Sequence, residues 1–422
     1  MSKNQFTRLI SMMALFGGAY FLPLDSWHLP QAVQSSLALT KWYAREHVIL
    51  CLIPALFIAG AISTFIQSGE VMKHLGAGAN KLVAYGVASV SGSVLAVCSC
   101  TVLPLFGGIY KMGAGIGPAT AFLYAGPAIN VLAIVLTARV LGLSMGIART
   151  VGAVLFSIII GLLMAWLFRR DEVARLAAAP MEKRAASNGL RTAVWFATLS
   201  SILVAATLGP SLGIYPYKWW LTGGLAVLLC VQMAGWMQTR LPHLSAGIVV
   251  TIGAAVAIPD YPQAVFLLAI AALSLILYLS GGRSREWLEA TWDFSKQIVP
   301  LLLLGILAAG LLLGQPGSDG LIPSSWIAKL VGGNSLVANF ISATIGAFMY
   351  FATLTEVPIL QGLMSGGMGA GPGLALLLAG PALSLPSMLV IHSLLGLRKT
   401  MAFVSLVVTL STLAGWLYGN FV

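Results

Sequence analysis

Residues 98–118 read CSCTVLPLFGGIYKMGAGIGP, and residues 123–130 read LYAGPAIN. The pattern returns 254 positions later, as ATLTEVPILQGLMSGGMGAGP at 352–372 and LLAGPALS at 377–384. In the ungapped alignment of the two copies, which starts at Gly92, fourteen of 37 positions are identical, most of them Gly or Pro. Apolar segments interrupted by Gly and Pro at matching places in two halves of a chain point to a transporter whose site lies between the repeats.

The composition places the chain among membrane proteins. Of its 422 residues, 59% are hydrophobic and 8% are charged, whereas soluble domains carry about 25% charged residues. The net charge of +11 does not indicate a nucleic-acid partner, because the basic residues lie in short loops between apolar segments, where they set membrane orientation. The sequence therefore predicts an all-α polytopic protein of the lipid bilayer, specifically the cell (inner) membrane.

Apolar segments and polar linkers predict roughly 11 spans plus two hairpins. The four Cys residues do not form a disulfide framework. The predicted regions are a first transmembrane helix and outer loop at 1–46, repeat 1 at 47–168 with hairpin 83–112, a cytoplasmic linker at 169–189, four intervening transmembrane helices at 190–280, a cytoplasmic linker at 281–296, and repeat 2 at 297–418 with hairpin 337–365.

The positions of Lys and Arg predict the orientation. The two linkers are rich in basic residues and should be cytoplasmic, as should the N-terminus with Lys3 and Arg8. If each hairpin enters and leaves the membrane on one face, the two repeats come out with opposite orientation, as in many secondary transporters. In this orientation Arg139, Arg149 and Lys329 lie on the outer side of the membrane, which is contrary to the positive-inside rule. Hairpins that cross the membrane completely would change the number of crossings in each repeat and therefore the relative orientation of the repeats. Re-entrant hairpins and broken membrane-spanning helices are both kept as alternatives.

The first candidate site precedes Pro104, where segment 83–110 is predicted to break. Pro104 removes one backbone donor, and irregular backbone at membrane depth survives only where protein or a cavity lines it. Thiolates two residues apart suit soft metals and metalloids, although buried Cys more often serves as a small hydrophobe. The residues assigned to this substrate site are Cys98, Ser99, Cys100 and Thr101, with Cys98 and Cys100 also as candidate metal ligands.

The second candidate site precedes Pro358 in the other copy and comprises Thr353, Thr355 and Glu356. Of the twelve acidic residues, Glu356 is the only one deep inside an apolar segment. A charged group at the bilayer centre costs about 3 kcal/mol on insertion scales, so it is a functional candidate by default. Glu356 is therefore predicted to bind substrate and to couple transport to protons. The alternative is a protonated carboxyl that hydrogen-bonds a neighbouring helix.

Two Gly-Pro pairs are predicted to break the following helices near mid-span. Such breaks expose half-helix N-termini, whose partial positive charge can hold an electron-rich group. A lone Gly-Pro more often marks a kink that eases packing, but here it is duplicated. The residues that this argument adds to the substrate site are Gly126, Pro127, Asn130, Gly380, Pro381 and Ser384.

The C-S-C…P, T-E-V-P and paired A-G-P-A motifs resemble those of the predicted permease family that includes the ArsP organoarsenical efflux permeases. The resemblance covers both repeats but not the four central helices. It implies export of trivalent organoarsenicals such as methylarsenite, with Cys98 and Cys100 as substrate-handling residues and Glu356 as the coupling or binding carboxylate. Other relatives are linked to divalent or soft metal efflux, which is the alternative cargo.

The sequence thus favours a secondary transporter that needs no cofactor and moves a small molecule or metalloid. No Walker A motif is present to support ATP hydrolysis. A channel ranks second, since hairpins with half-helix dipoles occur there too. An intramembrane enzyme with Cys98 or Cys100 as nucleophile ranks last, because no histidine lies inside the repeated core to act as base. The sequence is compatible with a homodimer.

Overall fold

The computed structural model describes residues 30–65, 80–94, 99–178, 189–207, 215–237, 239, 241–314, 320–322, 330–350, 356–365 and 367–422. Within these ranges the regular elements are helices, with one isolated bridge between Gly332 and Met368. Six helices in the described ranges are long and apolar enough to cross a membrane, or seven if one bent pair counts as a single span. The prediction of an all-α polytopic membrane protein is confirmed.

The helices follow one another in three groups. The first group is α1 Gln31–Tyr43, a π-helical segment Ala44–Leu52, α2 Ile53–Phe65, α3 Lys81–Val94, α4 Ser99–Lys111, α5 Ile116–Ala128, α6 Val131–Val140, α7 Leu143–Leu167 and α8 Arg169–Ala178. The second is α9 Gly189–Thr207, α10 Lys218–Trp236, α11 Leu241–Ala257 and α12 Pro262–Ser280. The third is α13 Gly282–Leu313, α14 Leu336–Phe348, α15 Glu356–Ser365, α16 Ala370–Ala379, α17 Leu385–Leu395 and α18 Leu397–Phe421.

The duplication seen in the sequence extends to the helix boundaries. Helices α3 to α7 recur in order as α14 to α18, and α7 and α18 match at both ends with the offset of 254 residues. The fourteen identities cover only 37 positions, whereas the matched helices run from Lys81 to Leu167 and from Leu336 to Phe421. The repeated unit is therefore at least five helices long.

A close helix contact through glycine is repeated in both copies. A Cβ atom on Gly161 of α7 would lie 2.7 Å from the carbonyl oxygen of Gly117 in α5. A Cβ atom on Gly415 of α18, 254 residues on, would lie 2.6 Å from the carbonyl oxygen of Gly371 in α16. Since small residues let membrane helices approach closely, the same packing solution holds each copy together.

Replacing either packing glycine with alanine should destabilise the protein. Because the new methyl group would meet a backbone oxygen as well as a side chain at both positions, we expect Gly161→Ala and Gly415→Ala to lose stability toward the upper end of about 1–3 kcal/mol, the range for overpacking. Gly223 of α10, whose added Cβ would meet nothing within 4 Å, is the matched control. Thermal unfolding in detergent should give a lower Tm for the first two variants only. Equal Tm values for all three would contradict the packing.

The matched helices α7 and α18 run antiparallel. The Tyr418 hydroxyl, near the end of α18, donates to the Ser144 hydroxyl at the start of α7 (3.1 Å). Lys399, near the start of α18, lies with its Nζ 5.8 Å from the ring centre of Phe168, just after α7. The start of each helix therefore lies beside the end of its counterpart.

Helices α1 and α2, joined through the π-helical segment, pack antiparallel against α13. The Ser36 hydroxyl donates to the Leu307 carbonyl (2.6 Å), and the Trp287 indole N–H donates to the Phe57 carbonyl (2.7 Å). The stretch 31–46, assigned to an outer loop, is thus helical and continuous with the first span of repeat 1. The linker 281–296 likewise belongs to α13, and Trp287 within it is fully buried.

The predicted helix breaks at Pro104 and Pro358 were wrong in position. Helix α4 begins at Ser99 and continues through Pro104, and α15 begins at Glu356 with Pro358 in its first turn. A first-turn N–H has no intrahelical acceptor, so Pro358 costs little there. Pro104 loses one hydrogen bond, which membrane helices tolerate when neighbouring groups re-satisfy the freed carbonyl.

Candidate functional site

Part of the predicted site lies outside the described residues. This applies to Cys98, Thr353 and Thr355, and to the side chains of Ser99 and Cys100. Ser99 and Cys100 form the first two residues of α4, and Thr101, which follows them, is fully buried. The assigned roles of the two cysteines therefore stay predictions.

The two Gly-Pro pairs coincide with helix breaks in both copies. Helix α5 ends one residue after Pro127, and the axis bends by 47° into α6. Helix α16 ends at Ala379, immediately before Gly380 and Pro381. All four Gly and Pro residues are buried.

Asn130 and Ser384 occupy matched positions after these breaks and have the same local role. The Asn130 side-chain oxygen accepts from the backbone N–H of Ala133 (3.4 Å), and the Ser384 hydroxyl accepts from that of Ser387 (3.2 Å). Each side chain thus caps the second half-helix, where backbone N–H groups lack intrahelical acceptors. Both residues are buried, so each cap lies inside the protein.

Glu356 forms a buried ion pair that joins the two copies. The Arg149 guanidinium Nη2 donates to the Glu356 carboxylate Oε1, and Nη1 donates to the Thr137 hydroxyl (2.8 Å). Arg149 is 0% exposed and Glu356 is 1% exposed. Since Arg149 lies in α7 of the first copy and Glu356 begins α15 of the second, the pair bridges the copies at a desolvated position.

Arg149 is the site residue that sequence reasoning missed. It was placed on the outside with Arg139, yet it is the largest charged side chain in the fully buried part of the described structure. Its signal in the sequence is a lone cation in the apolar stretch 143–167, since ionisable groups within membrane helices pair with one another. The sequence did not indicate that Glu356 is the partner of Arg149, because 207 residues separate the two.

The duplication creates two equivalent pairs of positions, and the ion pair is present at only one of them. The positions matched to Glu356 and Arg149 are Val102 and Phe403, both buried apolar side chains. The symmetric scaffold therefore carries one asymmetric polar centre. The Nε of Arg149 is buried and has no hydrogen-bond partner among the described residues, so the guanidinium retains donor capacity.

Tyr124 and Leu378 mark where the copies meet beside this centre. The Tyr124 hydroxyl donates to the Leu378 carbonyl (3.0 Å), and the two residues are matched positions 254 apart. Tyr124 also lies within electrostatic range of Arg149. The contact therefore joins equivalent positions of the two copies.

Two methionine side chains from the helices that carry the ion pair, Met145 and Met364, lie close to Gly373. A Cβ atom on Gly373 of α16 would lie 3.6 Å from the Met364 sulfur and 3.7 Å from the Met145 methyl carbon. Met145 lies one helical turn before Arg149, and Met364 lies two turns after Glu356. Thioethers are soft and polarizable, and they adapt to bound groups of different shape.

The residue that precedes the π-helical segment makes an aromatic contact with the second copy. The Tyr43 ring, which immediately precedes the segment, packs edge-on against Tyr350, six residues before Glu356, with ring centres 5.4 Å apart. The His47 ring stacks on Tyr43 at 5.4 Å, and its Nδ1 is buried without a partner in the described part of the chain. Such π-helical segments occur frequently at functional sites. Neither tyrosine nor His47 stood out in the sequence.

The described residues contain no group of three or more His, Cys, Asp or Glu side chains that could hold a metal ion. Cys98 lies outside those residues, so the predicted metal role of Cys98 and Cys100 is untested. The polar centre that is visible consists of one guanidinium, one carboxylate and hydroxyl groups, which are suited to proton exchange and hydrogen bonding.

These features define a polytopic helical membrane protein with an internal duplication and a buried polar centre between its copies. The chain belongs to the ArsP_1 family, described as a predicted permease, which matches residues 34–420. It is 40% identical over 378 residues to the UPF0718 protein MJ0584 of Methanocaldococcus jannaschii, covering 89% of this chain and 93% of that one. It is 31% identical over 116 residues to the UPF0718 protein YraQ of Escherichia coli K12, covering 26% and 30%. No solved structure matches the chain.

Proposed function

We propose that this permease is a proton-coupled secondary transporter of the inner membrane that exports a small thiol-reactive solute, such as a trivalent organoarsenical. The observation that carries the proposal is the buried Arg149–Glu356 ion pair between the two copies. A carboxylate with no access to bulk water is retained in a membrane protein chiefly where it serves transport. The family description as a permease supports the transporter class.

The copies are arranged as inverted repeats about an axis in the membrane plane. Antiparallel packing of the matched helices α7 and α18 supports this arrangement. So does the contact between the equivalent residues Tyr124 and Leu378. With the basic linkers on the cytoplasmic side, the N-terminus is cytoplasmic and the polar centre lies near mid-membrane. Alternating access then follows from rocking one copy against the other.

Coupling arises because Glu356 holds Arg149 only in its ionised form. A proton from the outside neutralises the carboxylate, removes half of the ion pair and loosens α15 from α7. Release of that proton to the cytoplasm restores the pair. An antiporter requires the proton and the substrate to exclude each other at the centre, so each lowers the affinity for the other and the coupling free energy is positive.

The two thiols of Cys98 and Cys100 give the proposal its substrate class. Methylarsenite carries two hydroxyl groups on arsenic, and two thiols can replace both of them. Two As–S bonds form, two As–O bonds break, and the thiol protons leave with the hydroxyl groups as two water molecules. The bound adduct is neutral, which suits a site of low dielectric constant. Metal cations in the same place would bind deprotonated thiols instead.

Uptake into everted membrane vesicles tests this function. Wild-type vesicles with a pH gradient should accumulate methylarsenite, and the Cys98→Ser/Cys100→Ser variant should fall to the level of vesicles without the protein. Cys230 of α10 provides the matched control, since it is half-buried in a helix outside the repeats and Cys230→Ser should transport normally. Equal accumulation by the double-serine variant would contradict the thiol role. If wild-type vesicles take up soft metal ions but no arsenical, the transported substrate is a soft metal ion and not an organoarsenical.

A further inference from the structure

One buried carboxylate, Glu172 of the linker helix α8, collects partners from several elements. Its Oε1 accepts from the Tyr110 hydroxyl (3.0 Å) and from the Lys399 ammonium (3.3 Å). Its Oε2 accepts from the Ile116 backbone N–H (3.0 Å) and from Arg175 Nη2 (2.9 Å). The Glu172 side chain is 5% exposed and that of Lys399 is 14% exposed, so this network is shielded from water.

These partners belong to different copies. Tyr110 lies at the end of α4 and Ile116 begins α5, so both belong to the first copy, whereas Lys399 lies at the start of α18 in the second. Arg175 strengthens the attachment, because its guanidinium also donates to the carbonyl oxygens of Tyr110 (2.7 Å) and Ala114 (2.6 Å). The linker helix therefore clamps the α4–α5 turn and ties it to the second copy.

The physical chemistry favours a firm but breakable connection. The carboxylate sits at the N-terminus of α5, where the helix dipole favours negative charge. Its hydrogen bonds to ammonium, guanidinium and hydroxyl groups are charge-assisted, which makes them roughly twice as strong as neutral ones. Water can replace these partners if the helices separate, so the polar groups stay satisfied when the connection opens.

The positions equivalent to this network in the other halves of the two copies make an apolar contact instead of a polar one. The positions matched to Tyr110 and Lys399 are Met364 and Met145, which lie against Gly373 in an apolar contact. The ion-paired network therefore exists at the linker end alone among the described residues. Inverted repeats that rock about a central site need a contact at each end that opens in turn, and here the two contacts differ in chemistry.

We infer that the Glu172 network is the latch of the cytoplasmic gate. This inference rests on the proposed function, since it assumes alternating access between the copies. The linker end is cytoplasmic because Arg169 and Arg170 precede Glu172 in a basic segment. Release of Lys399 from Glu172 frees α18 from the α4–α5 turn, and the route to the Arg149–Glu356 centre opens from that side.

The latch is tested by thiol labelling, which needs no substrate. A cysteine is introduced at Ala128, buried at the end of α5, in a protein whose four native cysteines are serine. A membrane-impermeant maleimide then probes everted vesicles, which expose the cytoplasmic face. Glu172→Gln and Lys399→Met should each label roughly tenfold faster than the parent, the scale set by losing a hydrogen bond to a charged group. Lys399→Met places at the latch the residue found at the matched position, Met145.

Glu289→Gln serves as the control, because it breaks an exposed ion pair with Arg285 on the same face of the membrane. It should label at the parent rate. Unchanged labelling in both latch variants would overturn the inference, and so would equal acceleration in right-side-out vesicles, which would indicate general loosening. If the Glu172→Gln protein is not present in the membrane in sufficient amount, the labelling rate of Lys399→Met alone tests the inference. Because labelling is independent of cargo, a failed arsenical uptake experiment leaves this result interpretable.

Discussion

Arg149→Met should lower the free energy of unfolding by about 3–5 kcal/mol, the cost of leaving one member of a buried ion pair without its partner. The Glu356 carboxylate would remain at a position that is 1% exposed, and the Thr137 hydroxyl would lose its donor. The double variant Arg149→Met/Glu356→Leu removes both charges and should recover most of the loss. Unfolding in mixed detergent micelles, followed by circular dichroism, is measured for the wild type, Arg149→Met, Glu356→Leu and the double variant.

The exposed pair Arg285–Glu289 is the natural comparison, with side chains 47% and 64% exposed. Arg285→Met should cost no more than about 1 kcal/mol, as for other solvent-exposed ion pairs. If the double variant at the buried pair were as unstable as the sum of its two single variants, Arg149 and Glu356 would be independent. That result would contradict the bridge between the copies.

Glu356→Gln should abolish the pH-gradient dependence of transport. The amide keeps the size of the carboxyl group but carries no titratable proton, so accumulation in everted vesicles should fall to the level reached without a gradient. Downhill exchange of substrate should continue, because the cysteines are untouched. Measuring initial uptake with and without an imposed pH gradient separates the two effects.

Asp260→Asn is the matched control for this experiment, since Asp260 is an exposed carboxylate in the short turn between α11 and α12. It should leave gradient-driven uptake at the wild-type rate. Accumulation by Glu356→Gln that still followed the gradient would exclude this carboxyl as the coupling group and leave it a structural partner of Arg149.

Much of the architecture could be predicted because the sequence contains an internal duplication. Gly and Pro at constant spacing predicted the duplicated, interrupted helices, and α16, α17 and α18 start where the offset of 254 residues places them. The breaks shifted away from Pro104 and Pro358 because a proline in a first turn costs no hydrogen bond and one inside a helix costs a single bond. The predicted repeats at 47–168 and 297–418 already extended beyond the 37 aligned positions, and nearly all residues of the matched helices lie inside those bounds.

The polar centre was only half predictable. A single carboxylate in an apolar segment identified Glu356, and the structure confirms that it is buried. Arg149 was assigned to the outside by charge counting, which treats every basic residue as a topology signal and does not consider pairing. Contacts between residues more than 200 positions apart, such as Arg149 with Glu356 and Glu172 with Lys399, depend on how the copies fold together. Linear spacing does not encode them.

The most direct test of the account is proton release on substrate binding to the purified protein. Calorimetric titration with methylarsenite, repeated in buffers of different ionisation enthalpy, reports how many protons leave per bound molecule. In a buffer acidic enough that part of the free protein carries a protonated Glu356, we expect proton release in the wild type, unchanged release in Asp260→Asn, and none in Glu356→Gln, because substrate then displaces the proton from this carboxyl group. The same proton release in wild type and Glu356→Gln would contradict a coupled centre at Arg149 and Glu356.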